Sequence, residues 1–246
     1  MFSLDKVLSR YGNFLFRVRS YLMILLVPFI IMAFPHSESI DLRYGETAQL
    51  AWELFCVAVA LTGLLLRALT VGWIAYGTSM RSTTAIQTAG LNTDGMYSVV
   101  RHPLYLGNFL IVLGVLMFVE VWQLIVVYFL FFFVCYGPIL FAEENFLKEK
   151  FGAAFEAWRR STPAMIPNFK LWKAPRSTFS LKKVLRREYH GVLAMVVGFV
   201  VMKFFSEWIG EHELEFRWHW GFFLGAALTL YLTLHFEKKR SRHSLV

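Results

Sequence analysis

Six apolar blocks, separated by more polar segments of very different length, constrain the fold of this chain more than any other feature of its sequence. A helix needs about 20 apolar residues to cross the roughly 30 Å hydrocarbon core of a bilayer, and a water-soluble core has no need of such long blocks. The sequence therefore predicts an all-α fold, a polytopic transmembrane helical bundle of about six spans. The blocks cover residues 20–34, 47–66 with a continuation toward 76, 104–119, 121–142, 191–209 and 220–235.

Composition supports a membrane protein and excludes several other classes. Only 17% of the residues are charged, whereas a soluble chain carries about a quarter. The two cysteines, Cys56 and Cys135, both lie inside apolar blocks. This usage is typical of small buried side chains, so we expect neither a disulfide framework nor a metal site.

The distribution of basic residues predicts the orientation of the spans. Of the 25 lysines and arginines, 22 fall on one side of the six predicted spans. The positive-inside rule assigns that side to the cytoplasm, so we expect an integral, multi-pass membrane protein with both termini cytoplasmic. The net charge of +8 then reflects contact with an anionic lipid surface, and no nucleic acid partner is expected.

A helical hairpin is predicted to bring two polar clusters together. Only Glu120 and its neighbours separate the third block from the fourth, so the two spans must be antiparallel and the chain returns to the face that it left. Residues 102–105 and the pair Glu143 and Glu144 should therefore lie close together. Because the macrodipole disfavours anions at the helix C-terminus expected there, the pair should have a cationic partner.

Three further segments complete the predicted organisation. Residues 145–160 carry apolar side chains at helical spacing and predict an amphipathic helix over the site, ended by Pro163 and Pro167. Residues 170–189 read as a basic linker before an appended pair of spans. We expect N-terminal spans over 1–63, a core with the ligand site over 64–169, and the linker and last pair over 170–246.

The two polar clusters also form a known pattern. The first, from Gly95, reads Gly-Met-Tyr-Ser-Val-Val-Arg-His-Pro-Leu-Tyr-Leu-Gly. The second, from Glu143, reads Glu-Glu-Asn-Phe-Leu-Lys-Glu-Lys-Phe-Gly-Ala-Ala-Phe, with Thr-Pro and Ile-Pro pairs soon after it. In this order, over residues 64–167, they resemble the isoprenylcysteine carboxyl methyltransferase and phospholipid methyltransferase family of membrane enzymes.

The resemblance implies an S-adenosylmethionine-dependent methyltransferase, with Arg101 and Glu144 as catalytic residues. Tyrosine rings can line a slot for the adenine, carboxylates can accept from the ammonium and ribose hydroxyls, and an arginine or loop N–H groups can bind the cofactor's carboxylate. The cofactor-binding residues implied by position are Gly90, Leu91, Asn92, Tyr97, His102, Pro103, Leu104, Tyr105 and Glu143.

The acceptor and the reaction class have alternatives. The prenylcysteine branch carries an arginine four residues before the glutamate pair, where this chain has Ile139. We therefore expect a lipid or lipidated acceptor other than prenylcysteine, with an anionic or polar headgroup. An anionic phosphate or carboxylate would need no general base, whereas an amine would first have to lose a proton. One alternative is an NADPH-dependent enzyme like the sterol reductases, although Leu104 and Asn108 depart from their motif. The other is a non-enzymatic membrane scaffold.

Overall fold

The computed structural model is all-helical, which confirms the predicted helical bundle. It describes residues 4–37, 40–75, 78, 88–210 and 218–243, and no β-strand occurs among them. Short 3₁₀ turns cover Leu22–Leu26, Phe34–His36 and Phe169–Leu171. The ten helices of the described part are α1 Leu4–Val18, α2 Val27–Ala33, α3 Ile40–Tyr44, α4 Glu46–Trp73, α5 Met96–Val99, α6 Pro103–Met117, α7 Trp122–Phe151, α8 Ala153–Ser161, α9 Leu181–Gly210 and α10 Trp218–His243.

Three of the described helices, α4, α7 and α9, are long and apolar enough to cross a membrane. The first predicted span is instead a bent pair, because Val7–Val18 and Leu22–His36 meet at 92°. Counted as one broken span, this pair gives a fourth crossing. The third predicted span is α6, a shorter apolar helix of 15 residues, and the sixth block lies in α10. The second block ends with α4 at Trp73, and residue 76 lies outside the described residues.

Close packing of α4 on α6 sets the centre of the bundle. At Gly63 and Gly107 a methyl group would overlap the backbone or side chain of the facing helix, so only glycine permits this approach. The predicted hairpin of α6 and α7 is present, with Glu120 in its turn at φ 63°. Its two legs meet through stacked rings of Phe109 and Tyr128, 5.2 Å apart, while α7 packs mainly on α1.

Two expectations about the segment after the hairpin are wrong. Helix α7 continues to Phe151, so Glu143 and Glu144 lie about two turns inside it and not at its C-terminus. The amphipathic helix expected over 145–160 is two pieces, because Gly152 adopts φ 52° and separates the end of α7 from α8. The apolar spacing continues across this glycine, which is why the break was missed.

The expected basic linker is also different from the prediction. Helix α9 begins at Leu181, so the linker is helical over its second half. Residues 162–180, called the strap below, are bonded to the backbone that precedes α6. The N–H groups of Arg101 and His102 donate to carbonyl oxygens of strap residues 163 and 164, at 2.8 and 3.2 Å. The strap therefore fixes the conformation of the Arg-His-Pro segment.

Candidate functional site

A cavity of about 560 Å³ opens at one end of the bundle, where α4 ends and α6 begins. We call this the site end. Its walls come from the last turn of α1, from α4, α6 and α7, and from the loop before α5. The predicted site residues that line it are Gly90, Leu91, Asn92, Tyr97, Arg101, His102, Pro103, Leu104, Tyr105 and Glu143. Glu144 is not among the lining residues.

The predicted meeting of the two polar clusters is confirmed. The hydroxyl of Tyr105 donates to Glu143 Oε1 at 2.7 Å, and Nδ1 of His102 lies 3.8 Å from Glu143 Oε2. Pro103 occupies the first turn of α6, where a backbone N–H would have no partner within the helix, so the lack of this group in proline costs nothing. His102 and Tyr105 therefore lie one turn apart and face the same carboxylate across the hairpin.

The two adjacent glutamates face different surroundings. Glu144 accepts from His102 Nε2 at 3.1 Å and from Arg159 Nε at 3.1 Å, and it pairs with Arg101 Nε at 3.0 Å. Successive helical residues point about 100° apart, so one carboxylate faces the cavity and the other faces these cations. Because a carboxylate only accepts, the proton of a neutral His102 lies on Nε2.

Arg101 is held in place by the end of α8. Its Nη1 donates to the carbonyl oxygens of Arg159 and Thr162, at 2.8 and 3.2 Å. Since the strap also bonds its backbone N–H, its guanidinium has a fixed position on the cavity wall. Arg101 can present positive charge there without reorganising.

Tyr97 and the loop before α5 form another part of the cavity wall. Burial raises the pKa of the Tyr97 phenol well above its usual range, and the nearby Glu143 carboxylate adds to the shift. The phenol therefore stays protonated, and the ring supplies a flat surface. The loop is tied down by Lys150, whose Nζ donates to the Thr88 carbonyl at 2.5 Å, and Thr88 Oγ1 in turn donates to the Gly90 carbonyl at 2.8 Å.

Several residues at or behind the cavity wall were not predicted to belong to the site, and the charged or amide side chains among them matter most for its chemistry. Arg19 lines it from the bend after α1, and Arg67 and Asn108 line it from α4 and α6. Arg67 pairs with the buried Glu188 of α9, Nε to Oε2 at 2.7 Å. The sequence signal was available for Arg67, because an ionisable residue inside a spanning segment is itself a functional hypothesis.

The described residues contain no group of three or more His, Cys, Asp and Glu side chains that could hold a metal ion. The described part of the cavity wall instead combines three guanidinium groups, one carboxylate and several aromatic rings. Such a mixture suits an organic ligand that carries charges of both signs.

Comparison with known proteins identifies the family of the chain. Residues 49–154 match the phospholipid methyltransferase family. The cobalt-zinc-cadmium resistance protein CzcN of Cupriavidus metallidurans is 31% identical over 163 residues, which are 65% of this chain and 69% of that protein. The nickel-cobalt-cadmium resistance protein NccN of Alcaligenes xylosoxydans xylosoxydans is 29% identical over 171 residues, 70% of this chain and 71% of that protein.

A third relative is an enzyme by name. The protein-S-isoprenylcysteine O-methyltransferase of Schizosaccharomyces pombe is 28% identical over 112 residues, 39% of this chain and 48% of that protein. No solved structure matches the chain significantly. The family match, this enzyme and the long apolar helices together place the chain among integral membrane methyltransferases. The chain belongs to the phospholipid methyltransferase family, as its two polar clusters indicated.

Proposed function

We propose that this protein transfers a methyl group from S-adenosylmethionine to a lipid or lipidated acceptor at the cytoplasmic face of the membrane. The observation that carries the proposal is the cavity, whose lining includes every residue that the family resemblance implied for the cofactor. The side is proposed from the excess of lysine and arginine around the site end.

The residues present fit the cofactor's chemistry. Glu143 can accept from an ammonium or from ribose hydroxyls, and its contact with Tyr105 fixes its orientation. The rings of Tyr97, Tyr105 and Trp158 line the same cavity and offer flat surfaces to an adenine. Arg101 offers N–H donors for the cofactor's carboxylate. A volume of about 560 Å³ lies within the range of cavities that bind small organic ligands.

The protein's part in the reaction is alignment and exclusion of water. When bound, the cofactor supplies a sulfonium methyl carbon that accepts an electron pair from the acceptor as its bond to sulfur breaks. The chain must hold the acceptor atom in line with that bond and keep water away. Arg101 faces the cavity, and we assign Glu144 a positioning role, because it bonds Arg101 and His102 from outside the cavity.

The family match and one of the three relatives favour methyl transfer over the two alternative functions. The Schizosaccharomyces pombe relative is named for O-methylation of a lipidated cysteine, and the matching family is named for phospholipids. Both names support an acceptor in the lipid phase. A sterol-reductase-like enzyme would require NADPH in the same cavity, and a scaffold would bind neither compound.

Binding of the labelled cofactor tests the proposal. The full chain in lipid nanodiscs is dialysed against tritiated S-adenosylmethionine and, separately, against NADPH. We expect S-adenosylmethionine alone to bind, and Glu143→Gln to weaken its binding by about 10- to 100-fold, the value of one charged hydrogen bond. Glu149→Gln, an exposed glutamate on the same helix, is the matched control. Undiminished binding by Glu143→Gln, or binding of NADPH instead, would contradict the proposal.

A further inference from the structure

Arg67, a cation on α4, faces the cavity, and its hydrogen bonds to described residues use only part of its donors. Arg67 is 14% exposed, and its partner Glu188 is 4% exposed. Its Nε and Nη2 donate to Glu188 at 2.7 and 3.0 Å, and its Nη1 donates to Asn108 Oδ1 at 2.5 Å. A guanidinium has five N–H donors, so two of them remain after these three bonds.

The same network determines which way the Asn108 amide points. A guanidinium only donates, so the amide oxygen must face Arg67 and the NH₂ group must face away from it. No described residue accepts a hydrogen bond from that NH₂ group. Arg67 and Asn108 both line the cavity, whereas Glu188 lies behind the wall. These two side chains therefore form a patch on the cavity wall, where their remaining N–H groups have no acceptor among the described residues.

The charge of the cavity favours an anion beside this patch. Among the described residues, its lining includes the guanidinium groups of Arg19, Arg67 and Arg101 but only one carboxylate, Glu143. The carboxylates of Glu188 and Glu144 pair with two of these arginines from outside the lining. Each pair is thus a dipole with its positive end on the cavity wall. A bound cation such as a sulfonium adds further positive charge, which an anionic acceptor would balance.

We propose that Arg67 and Asn108 form the acceptor subsite and recognise an anionic oxygen group, a phosphate or a carboxylate, on a lipid. The inference rests on the proposed methyl transfer and identifies the class of its acceptor. N–H donors turned toward the cavity select a group that only accepts, and paired donors bind such a group with directional bonds. Glu188 is a positioning residue for Arg67. It lies on α9, outside the part of the chain that matches the family.

With an anionic acceptor, methyl transfer releases no proton and needs no general base. An electron pair of the anionic oxygen forms the new bond to the methyl carbon, the bond from that carbon to sulfur breaks, and its electrons remain on sulfur. The products are a methyl ester and an uncharged thioether, and no proton is released. The absence of a required base agrees with a cavity whose acidic and basic groups are engaged with one another.

Short, water-soluble probes test the subsite without depending on turnover. Binding of hexyl phosphate, hexanoate, inorganic phosphate and hexyltrimethylammonium to the full chain in neutral-lipid nanodiscs is measured by calorimetry, with and without S-adenosylmethionine. We expect hexyl phosphate or hexanoate to bind at least about tenfold more tightly than the ammonium probe. Inorganic phosphate should bind more weakly than hexyl phosphate, because the acceptor is a lipid.

The deciding variant is Asn108→Asp. Its carboxylate can still accept from Arg67, so the network is kept, but it turns a negative oxygen toward the ligand. We expect anionic probe affinity to fall at least about tenfold, while S-adenosylmethionine affinity does not fall. Asn13→Asp, an exposed position on α1, is the control. The double variant R67Q/E188Q removes both charges together and should lose the same preference without leaving a buried carboxylate unpaired.

The outcomes separate this inference from the function on which it rests. Failure of the wild-type chain to bind S-adenosylmethionine would overturn the proposed function. Intact S-adenosylmethionine binding, with anionic probes bound equally by wild type and Asn108→Asp, would overturn the subsite alone. Absent binding of every anionic probe, or equal affinity for inorganic phosphate and hexyl phosphate, would also overturn it.

Discussion

The two ends of the helical bundle both carry partly buried charged side chains, but these side chains have different roles. At the far end, where α4 begins and α6 ends, the Glu120 carboxylate accepts from Ile40 N–H at 2.9 Å and from Gln49 Nε2 at 2.6 Å. Nearby, Lys203 of α9 pairs with Glu53 of α4 at 2.9 Å. None of these residues lines the cavity at the site end.

The difference shows how a structural polar cluster is distinguished from a binding site. The far-end groups are satisfied by one another and connect the turn of the hairpin, the start of α4 and the helix α9. At the site end, Arg67 and Asn108 keep donors on a cavity wall after their own bonds are made. A charged side chain inside a membrane protein therefore indicates a binding site when its donors or acceptors face a cavity. It indicates a structural role when they bond only to neighbouring residues.

Breaking the ion pair at the far end should have the largest effect on stability. Lys203→Met leaves Glu53 without its cation among packed helices, and we expect a loss of about 2 to 4 kcal/mol in the free energy of unfolding. The affinity for S-adenosylmethionine should not change. Denaturant unfolding of the detergent-solubilised chain and cofactor dialysis measure the two quantities. Adding Glu53→Leu to this variant should recover most of the loss, and a further loss would show that the pair is not the cause.

Glu120→Gln should destabilise the far end by a smaller amount. The amide keeps one acceptor oxygen but brings an NH₂ group toward a donor, so one of the two bonds to Glu120 is lost, at about 1 to 2 kcal/mol. The same unfolding assay measures this change. A fall in S-adenosylmethionine affinity in this variant would break the distinction between the two ends.

Glu144→Gln should show that the two adjacent glutamates at the site end have different roles. Because Glu144 orients His102 and Arg101 from outside the cavity, we expect S-adenosylmethionine affinity to fall only about three- to tenfold. This is less than the loss expected for Glu143→Gln in the same dialysis assay. The reverse order would mean that the second carboxylate of the pair is the one that faces the cofactor.

The hairpin of α6 and α7, and the contact that it creates between the two polar clusters, could be predicted from few features of the sequence. The count of apolar blocks and the short turn at Glu120 were enough to bring Tyr105 and Glu143 together, and the bond between them is present. The family followed from residues near these two positions in the sequence. The sequence thus revealed the part of the site that depends on local motifs and on one reversal of the chain direction.

The features that were missed depend on distant partners or on single backbone angles. The pair of Arg67 and Glu188 joins residues 121 positions apart, and no periodicity connects them. The break at Gly152 depends on one positive φ angle inside an otherwise continuous helical pattern. The far-end role of Lys203 was also missed, because only the packing of α9 on α4 brings Glu53 beside it.

A structure of the full chain in nanodiscs, determined by cryo-electron microscopy with saturating S-adenosylhomocysteine, tests the central claim most directly. The account predicts density for the nucleoside inside the cavity, between the loop at Gly90, the ring of Tyr97 and the carboxylate of Glu143, and with Arg67 and Asn108 still open to an acceptor. Density for the compound at another place on the protein, or an empty cavity at saturation, would contradict it.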